Sequence, residues 1–153
     1  MAHVVSIVYT PRDVPERKPQ DRYARVSLQS AKLVEGGGIA GDAKGTSATR
    51  QLNIMFAESL AELAKEGFKT APGEMGEQIV VAGLDPATIV EGTRLKFGEA
   101  IVDINIPRTG CDRFEMIQGK PRLEAKGRLG MIATVVSGGE IAVGDAVEFL
   151  PAS

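Results

Sequence analysis

The sequence predicts a mainly β fold, a small closed or partly open mixed β-barrel with two or three short helices. Three observations lead there. Short runs rich in β-branched or alternating residues recur roughly eight times, whereas helical spacing appears clearly only twice. Eighteen glycines punctuate those runs, so much of the chain must be turn. Strand and helix never alternate in the regular way that builds a doubly wound sheet, and no internal repeat is present.

Composition sets the outer bounds. At 153 residues the chain has the size of one domain, and residues 1–153 are expected to form a single unit around one core. A hydrophobic content of 43% beside 25% charged residues is globular. The formal net charge of −2 gives no pull toward nucleic acid, and tryptophan is absent with aromatics at 5%, so no base-stacking platform is expected. One cysteine cannot form an intrachain disulfide, no run is apolar enough for a membrane span, and no signal-peptide pattern opens the chain. The expectation is a cytoplasmic protein without nucleic-acid or membrane partners.

Taken in order, HVVSIVY (3–9) is a strand stopped by Thr10-Pro11. PRDVPERKPQDR (11–22) carries three prolines and no apolar period, an exposed loop that is either plain connector or a basic lip through Arg12, Arg17 and Lys18. Residues 23–34 alternate as a second strand and its continuation. EGGGIAGDAKGT (35–46) contains G-x-G-x-x-G on paper, but Asp42 puts negative charge where a phosphate would sit, and Gly45-Thr46-Ser47 interrupts any helix. Dinucleotide binding and a Walker A loop are both rejected. What survives is a tight turn where backbone approaches either a strand or a ligand.

RQLNIMF (50–56) sends Leu52, Ile54 and Phe56 to one face, and residues 57–66 switch to helical spacing with Gly67 as the terminator. Arg50, at the mouth of that strand, offers a planar fork to phosphate or carboxylate, or else forms a surface ion pair. A loop over 68–77 precedes the strand QIVVA (78–82), and a short strand is expected at 88–90. Residues 94–97 and the strand from Ala100 form a hairpin through Gly98-Glu99. The remaining pieces are a short helix over 112–118 ended by Gly119, then strands at 130–136, 140–143 and 145–150.

The strand from Ala100 alternates Ile101, Asp103 and Asn105 against Val102, Ile104 and Ile106, runs into Pro107 and delivers Cys111 at a loop-to-helix junction. Arg108, Arg113 and Lys120 lie within nine positions of it. A thiol reacts and binds metals as its thiolate, which nearby positive charge favours. The bland alternative is a buried cysteine acting as a small hydrophobe. His3 is the only histidine, so hydrolytic cysteine chemistry lacks its base, and zinc lacks its ligand count. Asp42, Glu77, Asp103 and Asp112 have no spacing that selects a hard metal. A lone thiolate is left with carrying sulfur as a persulfide, ligating a soft metal brought in by a cofactor, or forming a redox adduct.

Five ordered segments then resemble one family. GIAGDAK (38–44), RQLNIMFAESL (50–60), MGEQIVVAGLD (75–85), RLKFGEAIVDINIPRTGCDRFEMIQG (94–119) and GRLGMIATVVSGGEIAVGDAVEF (127–149) are similar to the successive motifs of the small stand-alone MOSC domains. That family is named for the C-terminal domain of molybdenum cofactor sulfurase. The resemblance implies a β-barrel of the pyruvate-kinase-type, a connection to the molybdenum-pterin cofactor, and Cys111 as the sulfur-accepting cysteine. It places Arg50 and Gln51 in a cofactor pocket with Asp42 and Glu77 near its wall. Relatives often carry His at the positions of Lys44 and Thr49 and Asn at that of Gln78.

The expected function is therefore a sulfur carrier in which Cys111, flanked by Arg108 and Arg113, accepts sulfane sulfur and passes it to a metal-pterin centre. Pyridoxal phosphate would belong to a separate cysteine desulfurase partner, and a molybdoenzyme or other metal-sulfur centre would be the acceptor. The rival readings are a molybdenum-cofactor-dependent oxidoreductase with Cys111 as metal ligand, and a non-catalytic cofactor-binding module. A monomer and a homodimer are both compatible with the sequence.

Overall fold

The computed structural model describes residues 1–13, 22–43 and 49–151. Arg17, Lys18 and Lys44 lie outside the described residues, as does most of the glycine-rich segment beyond Ala43.

The chain is mainly β, with eleven strands among the described residues. They are β1 (His3–Tyr9), β2 (Val26–Leu28), β3 (Ser30–Val34), β4 (Gly38–Ile39), β5 (Leu52–Phe56), β6 (Ile79–Ala82), β7 (Arg94–Phe97), β8 (Ala100–Pro107), β9 (Met131–Ser137), β10 (Gly139–Ala142) and β11 (Val147–Leu150). Two α-helices, α1 (Ala57–Lys65) and α2 (Asp112–Gln118), interrupt the succession. Eight strands form one sheet in the order β11-β7-β8-β9-β5-β6-β1-β2, and β10-β3-β4 form a second. Among the described residues only β5 and β6 pair in parallel, as their connection through α1 requires, and the other ladders are antiparallel.

The sheets are not closed into a barrel. The start of β1 comes near to closing the large one, since Val4 N–H donates to Asp145 O at 2.9 Å and Val147 N–H to Ala2 O at 3.0 Å. That contact ends after the isolated bridge between His3 and Ala146, leaving β11 and β2 as edges.

Several local expectations change under tertiary constraint. The run over 23–34 breaks at Gln29 into β2 and β3, which belong to different sheets. In place of a strand at 88–90, Pro86–Thr88 form a 3-10 turn, because Asp85 accepts from Ala87 N–H at 3.0 Å and Pro86 presets the first turn. Ile106 breaks the inward rhythm of β8: the register slips between Ile104 and Ile106, and that bulge turns Ile106 outward to 45% exposure. The glycine-rich turn meets protein backbone, for a Cβ on Gly38 would stand 2.7 Å from Gln51 O.

β5 is buried on both faces. Leu52, Ile54 and Phe56 face the main core with Val4, Ile7, Ile79, Val102 and Ile104. Met55 points the other way, into a second cluster with Leu60 and Leu63 of α1, Phe68, Met75, Val80 and Phe114 of α2. This second cluster mounts both helices on the outside of the sheet. It accounts for the burial of Met55, on the face of β5 opposite Leu52, Ile54 and Phe56.

Gly130 sits where these layers meet, at φ +79°, and a Cβ there would collide with Ile54 O and reach Met55 Cγ at 2.8 Å. Gly130→Ala is expected to lower stability by about 2–4 kcal/mol through backbone strain and overpacking. Urea denaturation checks this; an unchanged midpoint would mean that the layers have room the geometry denies.

Candidate functional site

After Pro107, Arg108 N–H still donates to Gly130 O at 3.0 Å, and then the chain leaves the sheet. Cys111 is the N-cap of α2, with extended φ −137° and ψ 177°. Its side chain makes no capping bond, so the sulfur is not drawn into the helix end, and the residue is exposed. The thiol is accessible, not a core hydrophobe.

Three sets of contacts hold α2 in place. Phe114 is fully buried and stacks on Phe68 with ring centroids 6.2 Å apart. Gln118 clamps the 68–77 loop, its Oε1 accepting from Lys69 N–H at 2.7 Å and its Nε2 donating to Lys69 O and Glu74 O, both at 3.0 Å. Arg122 pairs with Asp112 and with Glu115, whose Oε2 lies 3.1 Å from Nε, and it reaches Gly110 O at 3.4 Å. The Arg122 guanidinium pulls the Glu115 carboxyl below its ordinary range. The turn before Cys111 is thereby tied to the segment after the helix.

Tyr23 and the arginines assemble at the start of α2. Arg113 lies over the Tyr23 ring at 4.9 Å and donates through Nη2 to Arg22 O at 3.2 Å. Arg25 approaches the same ring at 5.7 Å. Arg108 donates to Asn53 Oδ1 at 3.1 Å, to Met75 O at 2.5 Å and to Tyr23 Oη at 3.4 Å, with its guanidinium 5.8 Å from the Phe114 ring centre. Gly76, at φ +86°, makes this possible: a Cβ there would stand 2.7 Å from Tyr23 Cζ and 2.9 Å from Arg108 Nη2. Burial pushes the Tyr23 phenol above its ordinary pKa; the charge of Arg108 opposes this, and a Cys111 thiolate adds to it. The phenol is thus neutral at neutral pH and close enough to sense the thiolate.

Of the three cations near Cys111 in sequence, Arg108 and Arg113 meet at this cluster. Lys120 instead lies over Phe68, 5.5 Å from its ring centre. Tyr23 and Arg25 were not legible as site residues, because nothing in the 23–34 alternation distinguishes them from a strand. The nearest signal was the presence of only two tyrosines in the chain.

The residues assigned by resemblance to a cofactor pocket divide. Arg50 is exposed and borders a cleft of 450 Å³ with Thr49, Asn105, Ile106 and Thr134. Gln51 is buried, its Oε1 accepting from Val135 N–H at 2.8 Å. Asp42 is buried and accepts from Thr10 N–H at 3.0 Å. Glu77 is fully buried and accepts from Gly73 N–H at 2.7 Å. Burial pushes the Glu77 carboxyl up, while the amides of Gly73, Glu77 and Met75 and the Arg108 charge pull it down; the net direction is upward. Burial lowers the pKa of Arg25, which Asp42 and Glu77 oppose, so a buried charge cluster underlies Tyr23. Gln78 is likewise engaged inside, accepting from Asn53 N–H at 2.8 Å.

Tested against a molybdenum-pterin group, these side chains fit in part. Cys111 is an accessible soft ligand and Arg50 an accessible anion binder, whereas Asp42, Gln51 and Glu77 are turned inward onto backbone amides. Among the described residues no cluster of three or more His, Cys, Asp or Glu could hold a metal ion. No helix among them is long and apolar enough to cross a membrane.

Comparison with known proteins gives one family and one fold. The family model described as MOSC domain matches residues 40–148. The structure of YiiM from Escherichia coli superposes with a TM-score of 0.72 at 19% identity, covering 97% of this chain and 70% of that one. The YUAD protein from Bacillus subtilis gives 0.72 at 23% identity, covering 96% and 94%. YiiM from Geobacillus stearothermophilus gives 0.75 at 17% identity, covering 99% and 76%. No curated protein matches the sequence significantly.

Two titrations test the electrostatics. Tyrosinate absorbance should resolve one phenol titrating above the ordinary 10.0, and Tyr23→Phe should remove that component; loss of the other component instead would place the buried phenol elsewhere. A carboxyl raised by burial contributes stability that is fully present below its unfolded pKa, near 4.5, and is lost as pH rises through its folded value. The stability of wild type relative to Glu77→Gln should therefore fall as the pH rises above 4.5 and level off once the raised folded value is passed. A pH-independent difference would contradict the assignment.

Proposed function

Because the chain belongs to the MOSC domain family, related to the C-terminal domain of molybdenum cofactor sulfurase, we propose that it is a sulfur carrier of molybdenum-cofactor chemistry. Cys111 takes sulfane sulfur as a persulfide from a cysteine desulfurase or another donor and passes it to a metal-pterin centre held by a partner. The observation that supports this most directly is the exposed Cys111, whose charge acts on the Tyr23 phenol that Arg108 bonds and Arg113 overlies.

Each side chain has a separate task. The Cys111 thiolate is the nucleophile toward sulfane sulfur, and its exposure lets a protein-borne donor and then an acceptor approach the same atom. A persulfide ionises more readily than a thiol, and the Arg113 guanidinium favours that anion by charge. Arg108 acts mainly as a positioning residue, since its donors are engaged by Asn53, Met75 and Tyr23. Tyr23, neutral and anchored by Arg108, keeps a hydroxyl proton that it can donate to a sulfur anion. Arg50, in its own cleft, is suited to a phosphate on the incoming cofactor.

The oxidoreductase reading, with Cys111 as molybdenum ligand, asks the same chain to hold the pterin permanently. The inward engagement of Asp42, Gln51 and Glu77 favours transfer over such retention. A molybdenum centre bound here would supply redox and oxygen-transfer chemistry, and no step of the carrier cycle requires it on this chain.

Incubation with a cysteine desulfurase and cysteine, followed by intact-mass measurement, should show one added sulfur on wild type and none on Cys111→Ala. Equal addition to both, or none to wild type, would refute the carrier role. Arg113→Ala should lower the rate of loading about tenfold, the scale of one lost charge-assisted interaction.

A further inference from the structure

The first turn of α1 borders a cleft of 380 Å³, lined among others by Phe56, Ser59, Ile89, Val90, Pro107 and Met131. Phe56, Ile89 and Met131 are buried members of the main core, so the floor of the cleft is apolar. Val90 is 56% exposed and adds apolar surface that is open to solvent.

α1 has nine residues and starts without a side-chain cap. Its N-cap position is held by Phe56, extended at φ −116° and ψ 132°, and a phenyl ring cannot accept the amide protons that the first turn of a helix leaves without intrahelical partners. Glu58, the acidic residue of that turn, is engaged elsewhere: its Oε2 accepts from Gly83 N–H at 2.7 Å. Ser59, the third helical residue, is only 6% exposed and lines the cleft, yet its hydroxyl makes no hydrogen bond among the described residues. A serine inside a helix commonly returns its proton to the carbonyl one turn back, and this one does not. An uncapped helix end and an unused hydroxyl therefore meet in one cavity wall.

Charge decides what kind of group belongs there. Arg128 is committed to Glu62 at 3.6 Å and to Glu66 at 2.5 Å. Arg108 gives its protons to Asn53, Met75 and Tyr23, and the buried Glu77 acts on its charge. Glu91, exposed, adds a negative charge to the lining. The cations of the lining are thus offset, while the helix end and the hydroxyl still lack an acceptor. A neutral carbonyl oxygen meets that need. The volume lies above the roughly 300 Å³ at which small-molecule pockets begin, and a floor of phenyl ring and thioether favours a flat ring over a chain.

We propose that this cleft binds a small uncharged aromatic molecule through a carbonyl oxygen, which accepts from the Ser59 hydroxyl and completes the open first turn of α1 while the ring lies on Phe56, Ile89 and Met131. The inference goes beyond the carrier reading and does not depend on it, since Cys111 is not among the lining residues.

The experiment titrates the isotope-labelled full chain with acetanilide and follows the backbone amides by NMR. Resonances of residues 56–59 and 87–91 should shift and saturate. The Kd should rise about tenfold in Ser59→Ala, the scale of one lost hydrogen bond. Alanine is the better helix former, so this variant keeps the fold. Ala87→Phe, at an exposed position of the lining, should abolish binding by filling the cleft. Unshifted amides at 56–59, or a Kd unmoved by either variant, overturns the proposal. Toluene binding as tightly as acetanilide removes the role of the acceptor, and benzoate binding more tightly replaces the uncharged ligand by an anion; each of these results overturns it as well.

Discussion

The guanidinium of Arg108 ties together four parts of the chain that are remote in sequence. It bonds Asn53 on β5, Met75 in the loop before β6 and Tyr23 ahead of β2, and lies against Phe114 of α2. These segments include the phenol that Arg25 and Arg113 overlie and the helix that Cys111 caps. A partly buried arginine is tolerable only when its donors are satisfied, and here carbonyl, amide and phenol oxygens satisfy them. The constraint acts in both directions: Arg108 orders the cluster, and the cluster keeps the arginine from seeking solvent.

The mount for this cluster is β5, which belongs to two cores at once. Its odd-numbered neighbours in the sheet rhythm would ordinarily meet water, yet Met55 enters a second apolar layer and Asn53 is hydrogen-bonded among Leu129 O, Met131 O and Arg108. That second layer holds α2 against the sheet. The thiol therefore stands on a helix whose position is set by Phe114, Gln118 and Arg122, while its own atoms remain free of structural duty. Placement by the scaffold, and accessibility of the reacting atom, are the two conditions a carrier cysteine must meet together.

Much of the fold was legible because it is local. β1, the helix over 112–118 with its glycine terminator, and the hairpin from Arg94 through Gly98-Glu99 follow directly from alternation, helical spacing and turn chemistry. The departures also have local appearances but remote causes. Ile106 keeps the alternating pattern and yet turns outward, because the ladder with β9 slips there. The 23–34 run reads as one strand but is shared between two sheets, and the 3-10 turn at Pro86 arises from a cap that competes with extended backbone.

By itself, the sequence determined that the chain is a mainly β member of one family with a single thiol at a strand-to-helix junction. Those features rest on periodicity and motif order, which are properties of neighbouring residues. The tertiary structure alone decided which of the nearby cations gather at Tyr23, choosing Arg113 and Arg108 and directing Lys120 onto Phe68. It also brought in Tyr23 across a separation of 85 residues from Arg108, and turned Asp42, Gln51 and Glu77 inward. The physical reason is that a buried polar group must find a hydrogen-bond partner wherever the packed backbone presents one. No rule of spacing along the chain encodes where that will be.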